Sequence, residues 1–96
     1  MELEWDEEKR QRNLRERGLD FADATRFDME SSVTRIDDRN DYGERRFVSL
    51  GPLDGRLHVL CWTQRGDRLR IISLRKANDR EQKAFAAAFR RSSAAD

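Results

Sequence analysis

The sequence predicts an α+β domain in which two N-terminal helices and one C-terminal helix pack on a four-stranded antiparallel sheet. Three observations support this fold class: helix-capping signals near both ends of the chain, alternating polarity after Ser31, and short turns between the alternating segments. Short turns join antiparallel strands, whereas parallel strands need long crossovers. Ninety-six residues allow one core. We therefore expect a single domain over residues 1–91 and a frayed tail over residues 92–96.

Both N-terminal helices are predicted from their capping residues. Asp6 is the expected N-cap of the first helix, and Gly18 is its expected end. Leu14 is the only strongly apolar residue inside this helix, so the helix should rest on the domain by a narrow stripe. Asp20 is the expected cap of the second helix, whose apolar residues recur at helical spacing: Phe21, Ala24 and Phe27.

Four segments of alternating polarity follow and are predicted to be strands. They read SSVTRID, RRFVSLG, RLHVLCWT and RLRIISLRK, and the turn-rich stretches DDRNDYG, PLDG and QRGD separate them. The chain then returns to a helical pattern. Asn78 and Glu81 have the spacing of a capping box at its start.

The last predicted strand carries arginines at both ends of an apolar centre. Strict alternation gives one face with Leu69, Ile71, Ser73 and Arg75, and another with Arg68, Arg70, Ile72, Leu74 and Lys76. Arg46 lies at the edge of an apolar stripe on a neighbouring strand. Arginines at strand ends can converge on one anion, because the planar guanidinium binds phosphate oxygens in pairs. Alternatively, these arginines pair with nearby acids, such as Glu44, Asp67 and Asp79.

Composition narrows the chemistry that the chain can perform. The net charge of +1 conceals a balance of −4 in residues 1–30 and +5 in residues 61–96, an asymmetry that indicates a nucleic-acid or other anionic partner. Cys61 is the only cysteine, and His58, the only histidine, lies in a predicted buried strand and is interpreted as structural. We expect no metal and no cofactor. Neither a signal peptide nor a membrane-spanning run is seen, so we expect a cytoplasmic protein without membrane contact.

The remaining candidates for chemistry are the Arg and Lys side chains and the nearby carboxylate of Glu44. RNA can be cleaved without a metal, because its own 2′-hydroxyl can attack the adjacent phosphodiester. Cationic groups near the phosphate then stabilise the developing charge, and a carboxylate can assist proton transfer. The composition permits this chemistry without selecting it.

Four motifs occur in a recognisable order: W-D-x-x-K, N-L-x-x-x-G-L-x-F, E-R-R-F and R-I-I-S-x-R-K-A. Each is weak alone, but their combination over Glu4–Ala24 and Tyr42–Gln82 is specific. On these residues the chain resembles the BrnT-type toxins, the ribonuclease half of type II toxin–antitoxin systems, which are related in fold to the RelE toxins. The resemblance implies a RelE-like sheet flanked by helices and RNA cleavage that blocks translation.

The resemblance also implies partners and site residues. The partner would be a cognate BrnA-type antitoxin with a ribbon–helix–helix domain, which represses the shared operon through operator DNA in a dimeric or heterotetrameric complex. The functional positions of the family correspond to Glu44, Arg46 and Arg75. Arg46 and Arg75 would hold the scissile phosphate, and Glu44 would accept a proton or orient an arginine. We assign further RNA contacts to Arg45, Arg68, Arg70 and Lys76.

One departure from the family pattern lies at the end of the first helix. Family members usually have Lys-His before the glycine, and this chain has Glu16-Arg17. Arg17 can bind phosphate and is retained as a fourth catalytic candidate, but a guanidinium holds its proton too firmly to be a good general acid at neutral pH. The alternative hypothesis is therefore a non-catalytic module that binds RNA or antitoxin, a degenerate toxin acting in a repressor complex.

Overall fold

The structure is a computed structural model that describes the backbone of residues 2–94 and the side chains of residues 2–88. The elements are β1 (Glu2–Trp5), α1 (Glu7–Arg17), a 3₁₀ helix (Phe21–Arg26), β2 (Val33–Asp37), β3 (Arg46–Leu53), β4 (Arg56–Arg65), β5 (Arg68–Lys76) and α2 (Asp79–Ala94). α2 thus continues past residue 91, where we expected the domain to end. Of the expected tail, residues 95–96 lie outside the described residues.

The sheet has five strands in the order β1-β5-β4-β3-β2. The four predicted strands form the expected antiparallel meander. The prediction of a purely antiparallel four-stranded sheet was wrong, because β1 adds a strand parallel to β5. Its sequence, ELEW, alternates as a strand should, but a parallel partner so far along the chain leaves no local turn signal.

The second predicted helix is a 3₁₀ helix rather than an α-helix. Its cap is Asp20, as expected, and the side chain accepts a hydrogen bond from the Ala22 N–H. Phe21, Ala24 and Phe27 are three residues apart, a spacing that a helix of three residues per turn brings onto one line. All three are buried in the main core with Leu60, Ile71 and Leu74.

A β-bulge in β5 changes which of its side chains share a face. Cys61 pairs with Ser73 and Trp62 pairs with Ile71, so Ile72 is the extra residue. Ile71 and Leu74 consequently lie together on the first face of the sheet, the face that carries the main core. Strict alternation had grouped Ile71 with Arg75, and this was wrong. Arg75 pairs with Val59 on the opposite, second face.

α1 is attached to the sheet through a polar residue. Leu14 is 39% exposed, so the predicted apolar stripe is not the contact. Instead the buried side chain of Asn13 donates to the carbonyls of Leu19 (3.0 Å) and Leu74 (2.9 Å) and accepts from the Leu74 N–H (3.4 Å). β1 pairs with β5 only as far as Ile71, so Asn13 satisfies the β5 backbone just beyond the end of β1.

α2 begins with the predicted capping box. The Glu81 N–H donates to Asn78 Oδ1 at 2.8 Å, and the Asn78 N–H donates to Glu81 Oε1 at 2.9 Å. The start of this helix borders the second face, where Val48, Val59 and Ala77 form a smaller core. Of the described helices, none has the length and apolar character needed to cross a membrane.

Candidate active site

Glu44 and Arg46 lie together where β3 begins, as the sequence suggested. Glu44 Oε2 is 3.5 Å from Arg46 Nε, and Glu44 Oε1 accepts a hydrogen bond of 3.0 Å from Arg65 Nη2. Arg65 was not a candidate from the sequence. The tight β4–β5 turn places Arg65 at the end of β4, two residues past the partner of Arg46 and therefore beside Glu44. We refer to Glu44, Arg46 and Arg65 as the Glu44 cluster.

Arg46 is positioned mainly by its contact with Tyr42 and less by its ion pair with Glu44. Its guanidinium carbon lies 3.9 Å from the centre of the Tyr42 ring, a cation–π contact. Its Nε is buried and, among the described residues, makes no hydrogen bond that meets ordinary geometry. Asp37 is opposite Arg46 in the sheet, but Arg39 binds both oxygens of that carboxylate at 2.8 Å. No hydrogen bond among the described residues uses the Nη groups of Arg46, so these groups keep donor capacity for a further anion.

The charges around Glu44 determine its protonation state. Partial burial raises the pKa of Glu44, but the hydrogen bond and charge of Arg65, followed by the nearby guanidinium of Arg46, outweigh this effect. The net pKa lies below the ordinary value for a glutamate. Glu44 is consequently a carboxylate at neutral pH, able to accept a proton or to orient an arginine.

Two of the RNA-binding candidates, Arg70 and Arg68, continue the same polar end of the sheet. Arg46 and Arg70 both pair with Thr63, from opposite sides. Arg70 Nη1 lies 3.7 Å from Glu4, and Arg68 Nε lies 3.5 Å from Glu2. Both acids belong to β1. Because the sequence did not predict this strand, it also did not predict that these two arginines have acidic neighbours. Alternation in ELEW was the available signal.

Arg75 is some distance from the Glu44 cluster on the same face. It pairs with Val59, whereas Arg46 pairs with Thr63, which corresponds to roughly 13 Å along β4. Arg75 donates two hydrogen bonds to Glu81, at 2.8 and 2.7 Å. The structure therefore brings Glu44 and Arg46 together and leaves Arg75 in an ion pair of its own.

The other three candidates occupy separate positions. Arg17 is exposed at the end of α1, beside Ser73 of β5, and no hydrogen bond or ion pair among the described side chains joins it to Glu44. Lys76 is exposed at the far end of β5, opposite His58. Arg45 is exposed next to the Glu44 cluster, and its carbonyl accepts a 2.6 Å hydrogen bond from Thr63.

The chain's other reactive side chains have structural surroundings. His58 is buried, and its Nδ1 lies 2.7 Å from the Arg56 carbonyl oxygen, in keeping with its interpretation as structural. Cys61 is half-buried beside the smaller core. Within the described part of the chain, no three His, Cys, Asp or Glu residues are grouped as metal ligands. The chemistry available at the Glu44 cluster is that of a carboxylate flanked by guanidinium groups.

Comparison with known families identifies the chain. A sequence model described as "Ribonuclease toxin, BrnT, of type II toxin-antitoxin system" matches residues 5–81. The chain belongs to the BrnT family. The match runs from the last residue of β1 to the first turn of α2 and includes Arg17, Glu44, Arg46 and Arg75. No curated protein matches the sequence.

Membership in the BrnT family carries two general statements. The family is one of ribonuclease toxins, which supports a nuclease activity for its members. As the toxin of a type II system, a BrnT protein also has a protein antitoxin as its partner. The resemblance noted from the four sequence motifs is thereby confirmed.

Proposed function

We propose that this BrnT-family chain is a metal-independent endoribonuclease that inhibits translation, with its reaction centre at the Glu44 cluster. The observation that carries the proposal is the juxtaposition of an ionised carboxylate with two guanidinium groups, one of which, that of Arg46, donates no hydrogen bond among the described residues. This arrangement suits a phosphodiester, whose negative charge grows as the reaction proceeds.

The proposed reaction needs only groups that the RNA and the chain supply. The 2′-oxygen of the RNA forms a new bond to phosphorus while the bond to the 5′-oxygen breaks, which leaves a 2′,3′-cyclic phosphate and a 5′-hydroxyl. Glu44 takes the proton from the 2′-hydroxyl; if Glu44 instead orients Arg46 towards the phosphate, a water molecule takes that proton. Arg46 stabilises the charge on the phosphate oxygens. A proton from solvent completes the leaving hydroxyl.

The other candidates have binding roles in this proposal. Arg75 lies roughly 13 Å along the sheet from Arg46, so it holds a phosphate elsewhere on the RNA once Glu81 releases it. Arg17 holds the RNA backbone at the end of α1. Four more cations contribute to RNA binding: Arg45, Arg68, Arg70 and Lys76.

A second candidate function is a non-catalytic module that binds RNA or antitoxin within a repressor complex. Two observations favour it. Arg75 is tied to Glu81 instead of sharing a site with Arg46, and Glu16-Arg17 replaces the usual Lys-His pair. A chain with these features would keep its antitoxin-binding surface and lose the ability to cleave RNA.

The proposed partner is a BrnA-type antitoxin with a ribbon–helix–helix domain, which neutralises the chain and, with it, represses their operon at operator DNA. The complex would be a dimer or a heterotetramer in the cytoplasm, where the RNA is also found. Support comes from β2, an edge strand whose Val33 and Ile36 are 48% and 51% exposed. Exposed apolar edge strands invite pairing with another chain.

Cleavage of a structured RNA by the purified chain, with EDTA present, tests the proposal. The native chain should cleave, and Arg46→Ala should lose about 10²- to 10³-fold in rate, the usual cost of removing a charge-stabilising donor. Arg75→Ala should weaken RNA binding. Arg26→Ala, which breaks an exposed ion pair with Asp54 on a hairpin, serves as the control. If the native chain binds RNA and does not cleave it, the result favours the non-catalytic binding module.

A further inference from the structure

Three cations on α1 differ from five of the arginines in the sheet. Arg46, Arg65, Arg68, Arg70 and Arg75 each lie within ion-pair distance of a glutamate. Lys9, Arg12 and Arg17 have no ion pair within the described residues, and all three are exposed. Arg15 of α1 and cations elsewhere, such as Arg35 and Lys76, also lack an ion pair among the described residues, but Lys9, Arg12 and Arg17 share one side of a single helix.

These three cations surround one groove. A depression of about 190 Å³ between α1 and β5 is lined by Lys9, Arg12, Asn13, Glu16, Arg17, Ile72 and Ser73. The lining residues of α1 recur three and four apart, so they occupy one side of the helix. The floor is the bulge of β5, and Asn13 fixes the helix above it through the Leu74 backbone. The cations thus sit on a rigid support.

We propose that this α1–β5 groove binds the phosphate backbone of single-stranded RNA through Lys9, Arg12 and Arg17. The inference rests on the proposed RNA-directed function and adds a binding track to it. Ser73, at the bulge, supplies a hydroxyl that can donate to a phosphate oxygen. The only acid in the lining is Glu16, so the groove keeps an excess of positive charge.

The position of the groove fits a strand that also reaches the Glu44 cluster. Ser73 lies three residues after Arg70, or roughly 10 Å along β5. RNA held at the groove therefore has only a few nucleotides to span before it reaches Arg70 and Arg46. The polar lining argues against an apolar protein segment as the occupant, because such a segment would leave the cations desolvated.

The test is the salt dependence of binding to a fluorescein-labelled, fully 2′-O-methylated single-stranded oligoribonucleotide, which the proposed chemistry cannot cleave. The double variant Lys9→Gln/Arg12→Gln removes two phosphate contacts. The slope of log affinity against log salt should become shallower by about 1.4, and affinity near 0.1 M salt should fall about tenfold or more. Glu16→Gln should act in the opposite direction and tighten binding by a few fold.

The control is Arg80→Gln/Lys83→Gln, which removes the same charge from exposed positions of α2. Its slope should match that of the native chain. Thermal unfolding followed by circular dichroism should be unchanged in all variants, since glutamine is a good helix former. An unchanged slope in the Lys9/Arg12 variant would overturn the groove assignment.

Cleavage of unmodified RNA, measured in parallel, separates this inference from the proposed function. If the native chain cleaves RNA while the Lys9/Arg12 variant binds RNA like the control, the groove proposal is refuted and the proposed ribonuclease activity is supported. If the slope falls but the native chain does not cleave, the groove is supported within a non-catalytic module. If the native chain neither binds nor cleaves RNA, both proposals fail.

Discussion

Arg75 and Glu81 form an ion pair with two hydrogen bonds, at 2.8 and 2.7 Å, that joins the end of β5 to the first turn of α2. The same carboxylate accepts the Asn78 N–H in the capping box. One side chain therefore both caps a helix and occupies an arginine that is a candidate for phosphate binding. The hydrogen bonds from Arg75, together with the Asn78 N–H, lower the pKa of Glu81 to about 2.

The first prediction concerns stability in acid. The pKa of Glu81 is lower in the folded chain than its ordinary value of 4.5, so the ion pair contributes stability above pH 4.5 that is lost as the pH falls towards about 2. Glu81→Gln cannot titrate. The difference in free energy of unfolding between the native chain and this variant, measured with denaturant from pH 6 to pH 2, should shrink over that window. A constant difference would refute the ion pair's role.

The second prediction is that Glu81 competes with RNA for Arg75. Glu81→Gln removes the charge that holds the guanidinium, so RNA affinity should rise by a few fold, whereas Arg75→Ala should lower it. Asp54→Asn is the matched control, because it removes the charge from a carboxylate that accepts three hydrogen bonds from Arg26 at the β3–β4 hairpin. Equal affinities for the native chain and Glu81→Gln would show that Arg75 does not contact RNA.

The third prediction concerns the polar anchor of α1. Asn13→Ala leaves the Leu74 backbone groups and the Leu19 carbonyl without their partner, and each buried group left unsatisfied costs about 1–3 kcal/mol. Leu14→Ala, its neighbour, should change the free energy of unfolding by only about 0.5 kcal/mol, because Leu14 is 39% exposed and belongs to neither core cluster. Urea unfolding measures both. A larger loss of stability in Leu14→Ala than in Asn13→Ala would contradict the conclusion that Asn13 anchors α1 to the sheet.

The fourth prediction concerns the proton acceptor. Glu44→Gln should lower the RNA cleavage rate by about 10²- to 10⁴-fold while RNA binding persists. Because the pKa of Glu44 is below its ordinary value, the native rate should be flat around neutral pH and fall only below the usual carboxyl range. Glu30→Gln, at an exposed glutamate in the turn before β2, is the control. Full activity in Glu44→Gln would exclude it as the base.

The predictable parts of the fold are those with local signals. Gly18 ends α1 with a positive φ of 69°, and the Asn78–Glu81 capping box starts α2, as their spacing indicated. The β3–β4 turn proved shorter than the predicted PLDG, since Pro52 and Leu53 belong to β3. Asp54 and Gly55 alone make it, with φ of 51° and 79°, which suits a two-residue hairpin.

The features that were missed depend on contacts between distant residues. β1 is recognisable as an edge strand only once β5 is beside it, and Asn13 looks like an ordinary helix residue until the Leu74 backbone is placed next to it. The bulge at Ile72 reverses the face of every later side chain in β5. Alternation therefore could not locate Arg75 relative to the core, or show that Glu81 would occupy it.

The most direct test of the proposed ribonuclease is the chemistry of its product ends. A labelled RNA incubated with the native chain in EDTA should give fragments with a 2′,3′-cyclic phosphate and a 5′-hydroxyl. A single 2′-deoxy substitution at the cleaved nucleotide should abolish that cut, because the attacking oxygen is gone. Fragments with 5′-phosphates, or equal cleavage of the deoxy-substituted RNA, would contradict attack by the 2′-hydroxyl at the Glu44 cluster.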